Sequence, residues 1–140
     1  MNIEQKRTWM KRYRKSKDYL DHLTMKLDNL NERIYKAKTP DYSGIPKSTR
    51  PKGIEELLYD KEKLEERIDN QRKICRTYKD EIWTVIDSLE DWRLMEVLEQ
   101  SFIDGKTLDN IAEELGYNRR HISRLQADAL EQIHIPTIEQ

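Results

Sequence analysis

Arg119, Arg120, Ser123 and Arg124 crowd the second half of the stretch TLDNIAEELGYNRRHISRLQ at 107–126. A guanidinium is always charged and presents a planar fork of donors. Such a fork can bridge O6 and N7 of a guanine, and it also grips phosphate. On a helix that starts at Arg119, these four residues and Ala127 share an outer face, with His121 near its edge. Asn118, just before them, is a good helix cap, because its side-chain oxygen can accept from a free amide of the first turn. The chemistry this cluster offers is recognition of a polyanion with readable base edges.

Such a face has to be held outward by a partner helix, and the preceding residues have the spacing for one. With Leu108 as position 1, Ile111 is position 4, Ala112 position 5, Leu115 position 8, Gly116 position 9, Tyr117 position 10, Ile122 position 15 and Leu125 position 18. Two short helices that cross steeply need a small residue where their backbones approach, and Ala112 supplies it. The tight turn needs a residue tolerant of positive φ, and Gly116 supplies that. Ile111, Leu115, Ile122 and Leu125 would plug the small core between the helices. Any amphipathic helix pair shows apolar residues at three-and-four spacing, and a lone Ala-to-Gly interval would be weak. Here seven core positions and a cap agree, which predicts a helix-turn-helix with Asn118, Arg119, Arg120, His121, Ser123 and Arg124 at the DNA.

The rest of the chain limits what this module serves. In 140 residues, 36% are hydrophobic and 38% charged, lean for a compact sphere but too patterned for disorder. The formal net charge of −1 does not announce a nucleic-acid partner, so the distribution of charge has to do so. Cys75 is the only cysteine, which excludes an internal disulfide framework and a zinc ribbon. The N-terminus MNIEQKRTWM has no apolar segment of the signal-peptide kind, and no uncharged run approaches the roughly 20 residues of a membrane span. A cytoplasmic protein without a membrane role is expected. His22, His121 and His134 form no spaced metal set with Cys75, no phosphate-cradling glycine loop occurs, and no carboxylate pair stands out. No catalytic residue, metal or cofactor is expected, and the chain does not read as an enzyme.

Residues 1–37 contain neither glycine nor proline and carry a seven-residue repeat. Tyr13, Leu20, Leu27 and Ile34 form one seam position; Trp9, Leu23, Leu30 and Ala37, with Ser16 as the polar exception, form the other. A second seam runs through Ile54, Lys61, Ile68, Cys75, Ile82 and Leu89, with Leu57, Leu64, Gln71, Tyr78 and Val85 beside it. Cys75 on this seam reads as a buried thiol. Between the seams, residues 38–53 hold three of the four prolines and two of the four glycines, and no helix survives that. Two helices of roughly 50 Å each are expected, at 1.5 Å per residue, folded as an antiparallel, coiled-coil-like hairpin or paired with the helices of another chain. A hairpin so thin buries little by itself, so homodimerisation through it is expected. After a hinge near Asp87–Asp91, Trp92, Met95, Val97, Leu98 and Phe102 suit a third helix, ended by Gly105; Pro136 would stop the last one. The fold class is therefore all-α, with a hairpin and connector over 1–87, the helix-turn-helix over 88–135 and a tail at 136–140.

With Trp92 to Leu130 in view, TLDNIAEELG at 107–116 and ADAL at 127–130 resemble region 4 of sigma-70-type transcription factors. The layout of a helical hairpin followed by such a module is similar to small prophage-encoded regulators, of the general type of the RinA and ArpU late-gene activators. The resemblance implies that Thr107 and Leu108 lie against the DNA backbone, and that Arg119, Arg120, Ser123 and Arg124 read a −35 element. The family often has an acidic residue where Arg120 stands and an arginine where Ser123 stands, so its base preference does not carry over. It also implies double-stranded DNA and RNA polymerase as partners. A full sigma factor melts the −10 element with aromatic residues on a basic helix. Trp9, Tyr13 and Tyr19 sit among basic residues, but the first two occupy the seam and read as packing. The expected function is a sequence-specific transcriptional regulator that borrows the −35-reading module. The alternatives are a phage DNA-packaging oligomer, like a terminase small subunit, and a coiled-coil adaptor.

Residues 1–20 carry Lys6, Arg7, Lys11, Arg12, Arg14, Lys15 and Lys17 against Glu4 and Asp18. Two roles are open for them: phosphate contacts beside the helix-turn-helix, or neutralisation of Asp80, Glu81, Asp87, Glu90 and Asp91. Lys47, Arg50 and Lys52 in the connector read as a solvated loop, with a partner-binding or DNA-gripping tip as the sharper possibility.

Overall fold

The computed structural model describes residues 1–38 and 53–136, which contain six helices and no strand. They are α1 (Ile3–Met10), α2 (Arg12–Lys38), α3 (Ile54–Asp87), α4 (Trp92–Phe102), α5 (Leu108–Leu115) and α6 (Arg119–Gln132). The connector cations Lys47, Arg50 and Lys52 lie outside the described residues, as do residues 137–140. The chain forms two compact units, one of residues 1–17 with 75–140 and the other of residues 18–74.

In the second unit the expected seams are buried. Leu20, Leu23, Leu30 and Ile34 of α2 and Leu57, Leu64 and Ile68 of α3 are shielded from water, with Gln71 buried among them. Each such aliphatic side chain contributes on the order of 1.5–3 kcal/mol before the entropy of ordering is charged. Residues 26–33 of α2 and 60–67 of α3 line a common groove. In the other unit, Arg12 of α2 meets Glu81 of α3 and Tyr13 lies under Lys79.

The expected unbroken helix from Met1 is interrupted at Lys11, which closes α1 instead. The cause is local. Arg12 turns its guanidinium back, and its Nε donates to the Trp9 carbonyl at 3.0 Å, an acceptor that a continuous helix would need. At the other end of α1 a capping box fixes the start: Asn2 Oδ1 accepts from the Gln5 amide at 2.8 Å, and the Asn2 amide donates to Gln5 Oε1 at 3.0 Å.

The first unit is organised around α6, which packs against α1, α4 and α5. Ile122, Leu125, Gln126, Ala129 and Leu130 form its buried stripe, at helical spacing. They meet Leu94, Val97, Leu98 and Phe102 of α4 and Ile111 and Ala112 of α5, all buried. Cys75 is buried here too. Trp92 begins α4, as expected, and is 66% exposed, because the stripe of α4 runs through Leu94, Val97, Leu98 and Phe102. α6 also ends at Gln132, before Pro136, where Ile133 turns extended at ψ 148°. No helix among the described residues is long and apolar enough to cross a membrane.

Candidate nucleic-acid interface

The turn between α5 and α6 has the geometry its residues dictate. Gly116 adopts φ 76° and ψ 29°, the left-handed region that costs an L-residue roughly 1–2 kcal/mol. The Tyr117 amide donates back to the Ala112 carbonyl at 2.9 Å, closing the end of α5. A Cβ on Gly116 would meet nothing within 4 Å, so conformation, not crowding, selects glycine there. Thr107 caps α5, its Oγ1 accepting from the Asn110 amide at 3.2 Å. Asn118 caps α6, its Oδ1 accepting from the His121 amide at 2.8 Å. A cap of this kind is worth about 1 kcal/mol.

This construction brings most of the expected residues onto one surface. Arg119, Arg120, Ser123 and Arg124 are exposed on the first two turns of α6, opposite its buried stripe. His121 is half-buried, its ring edge-on to Tyr117 with centroids 4.7 Å apart. Arg119 Nε approaches Asp109 Oδ1 of α5 at 3.6 Å, and both side chains are open to solvent, at 67% and 71%. An exposed pair of that kind is worth little and yields readily to a phosphate. Thr107 and Leu108 stand apart, at the start of α5; Leu108 is half-buried and the Thr107 hydroxyl is occupied by its cap.

Arg93 is a cation of this surface that motif reasoning passed over. It lies in the first turn of α4, where its Nη2 meets Asp91 Oδ2 at 3.1 Å and its amide donates to Asp91 Oδ1 at 2.9 Å. The bond to Asp91 raises the Arg93 pKa above its ordinary value, and the Tyr117 hydroxyl adds in the same direction. The same contacts hold the Asp91 carboxyl below its ordinary range. Tyr117 of the α5–α6 turn thus lies near Arg93 at the start of α4, a proximity that no local sequence signal announces. On α4, Glu99 is pushed upward by burial, then by the neighbouring charges of Glu96 and Asp104.

Four of the seven N-terminal cations are engaged within the fold. Lys6 Nζ donates to the Glu131 carbonyl at 3.0 Å, at the negative end of the α6 dipole. Arg7 Nη1 donates to Gln126 Oε1 at 2.7 Å, and Gln126 Nε2 donates to Ser101 Oγ at 3.0 Å, tying α1, α6 and α4 together. Arg12 pairs with Glu81 at 2.6 Å between the rings of Trp9 and Tyr78, 4.2 and 4.5 Å from their centroids. Arg14 Nη1 donates to the Ile103 carbonyl at 3.2 Å and lies across Gly105, where a Cβ would come within 2.6 Å of its Nε. Of the five acidic residues offered as partners for this segment, Glu81 is thus engaged. Tyr13 is buried and Trp9 is half-covered, as packing residues are.

The family model for sigma-70, region 4, matches residues 86–134, which run from the last turn of α3 through α6. No curated protein and no solved structure matches the chain. The C-terminal segment is thus a helix-turn-helix similar to sigma-70 region 4.

Proposed function

We propose that the chain is a sequence-specific DNA-binding transcriptional regulator that reads a −35-like promoter element through α6 and recruits RNA polymerase. One observation carries the reading: Arg119, Arg120, Ser123 and Arg124 project from the first turns of a capped second helix, on a segment similar to sigma-70 region 4. Helix-turn-helix proteins read base edges from that position. Recruitment of polymerase rests on the same similarity, and a phage setting rests on the likeness in layout to the RinA and ArpU type. The action is binding, with no catalytic step.

Homodimerisation through the hairpin belongs to the same proposal. Met25, Tyr35, Leu58 and Tyr59 leave apolar surface exposed on it, which a second hairpin would cover. Light-scattering mass measurement gives a dimer on this reading, whereas a ring of eight or more subunits would favour DNA packaging.

The test of sequence reading is selection from a random duplex library at near-physiological salt. One enriched motif is expected. Recovery without a motif that vanishes as salt is raised would mean that the arginines serve phosphate alone, and the regulator reading would fall.

A further inference from the structure

We infer that the hairpin carries a second nucleic-acid site, a basic groove that binds the phosphate backbone without regard to sequence. The groove, of about 460 Å³, lies between α2 and α3 within the 18–74 unit. Its floor is the seam pair Leu30 and Leu64, both buried. Its rim carries Lys26 and Arg33 from α2 and Lys63 and Arg67 from α3, all exposed. Asp60 is the one acid lining it, and Asp60 has interactions of its own.

These cations are lightly paired, as Lys61 of the same unit is, so it is their convergence on one groove that sets them apart. Elsewhere on the hairpin Lys36 meets Glu32 at 3.2 Å, and Arg72 meets Asp69 at 3.6 Å. In the groove, Lys63 has a loose contact with Glu66 at 3.9 Å and lies 5.6 Å from the centroid of the Tyr59 ring. Lys26, Arg33 and Arg67 have no carboxylate partner among the described residues. Counted over the described residues of the unit, nine cations stand against eleven carboxylates, so bulk charge does not draw an anion here. What remains is a local concentration of four cations around one concavity, which repels itself until an anion enters. Lys26 and Arg33 are seven residues apart on one helix, about 10.5 Å. That spans about three phosphates of one strand, which recur at ~3.4 Å along the duplex axis. Arginine forks and an apolar floor suit a backbone of phosphate and sugar, and no group in the groove is placed to read a base.

The inference extends DNA binding to a second surface and rests on the groove's own charge. Its test uses the full chain carrying Arg119→Ala and Arg124→Ala, which removes the reading face, and a random-sequence duplex followed by anisotropy across a salt series. Adding Lys26→Gln, Arg33→Gln and Arg67→Gln is expected to weaken the residual binding roughly tenfold or more. The log–log salt slope should become shallower by about 2–3, given ~0.9 per phosphate contact. The charge-conserving set Lys26→Arg, Arg33→Lys and Arg67→Lys should retain both, and circular dichroism should show the same helicity in all. Unchanged affinity and slope in the glutamine set would overturn the inference. So would absence of residual binding in the Arg119/Arg124 background, or competition by polyglutamate as effective as duplex of equal charge. Failure of the α6 reading looks different: Arg119→Ala with Arg124→Ala would leave affinity for the selected site unchanged, while the groove variants still lowered it.

Discussion

The chain has two basic stretches, and along the sequence the first is the richer. Between Lys6 and Lys17 there are seven cations, against three arginines between Arg119 and Arg124. The fold treats them in opposite ways. Lys6, Arg7, Arg12 and Arg14 are turned onto a carbonyl, an amide, a carboxylate and a glycine turn, so their charge is part of the framework. Arg119, Arg120 and Arg124 are held outward by a cap and a left-handed glycine, and their one ion pair among the described residues is exposed and long. Density of positive charge therefore does not single out the surface proposed to read DNA. What locates it is whether local structure leaves the cations outward and cheaply available.

The largest stability effect expected from this contrast is at Arg12. Its ion pair is 30% and 39% exposed, so it is screened, and with two aromatic stackings Arg12→Ala should cost about 1–3 kcal/mol. The urea midpoint would show it, with Arg120→Ala, which has no such partners, as the near-silent comparison. An Arg12→Ala chain as stable as its parent would show that the basic N-terminus is not structural.

A smaller effect separates the two left-handed glycines. Gly116→Ala should cost about 1 kcal/mol by conformation alone, since its Cβ enters open space. Gly105→Ala, at φ 71°, should cost more, because it also displaces Arg14 from the Ile103 carbonyl. In an Arg14→Ala background the two costs should converge. If they stay apart by the original difference, Arg14 is not what Gly105 accommodates.

The smallest effect is in pH. Asp91 has its pKa lowered by Arg93, so its contribution to stability is present above the ordinary value of 3.8 and is lost as pH falls through the lower folded value. Glu99 has the opposite sign: raised by burial, it favours the folded state below the ordinary 4.5 and loses that advantage as pH rises through its folded value. Asp91→Asn should therefore flatten the acid side of the stability profile, and Glu99→Gln should stabilise slightly at neutral pH. A Glu99→Gln chain destabilised at pH 7 would contradict the assigned direction.

The sequence was most legible where structure is local. Heptad spacing located most of the buried residues of the hairpin, including the polar Ser16 and Gln71, but not Ile86 of α3, and it counted Leu27 and Ile54, which are half-buried. The Ala112, Gly116 and Ile122 spacing with Asn118 located the helix-turn-helix, because turn, cap and core each constrain a residue type within a few positions. Contacts between residues far apart in sequence were illegible. Nothing near Arg7 announces Gln126, and nothing near Arg14 announces Gly105. The break at Lys11 was equally silent, since a side chain taking a backbone acceptor leaves the hydrophobic period intact. The apolar residues from Trp92 to Phe102 mark α4, but Trp92 itself is turned to solvent by its phase on the helix.

The most direct measurement compares the salt dependence of binding for two double variants, Arg119→Ala with Arg124→Ala and Arg7→Ala with Arg12→Ala, on the selected site and on random duplex. The first pair should abolish the preference for the site, each arginine at a base being worth about 1–3 kcal/mol, while leaving helicity intact. The second should lower stability but keep the site preference and the salt slope of the folded protein. If the second pair instead makes the slope shallower by about two and the first leaves site preference untouched, the N-terminal stretch is the DNA contact and α6 is not.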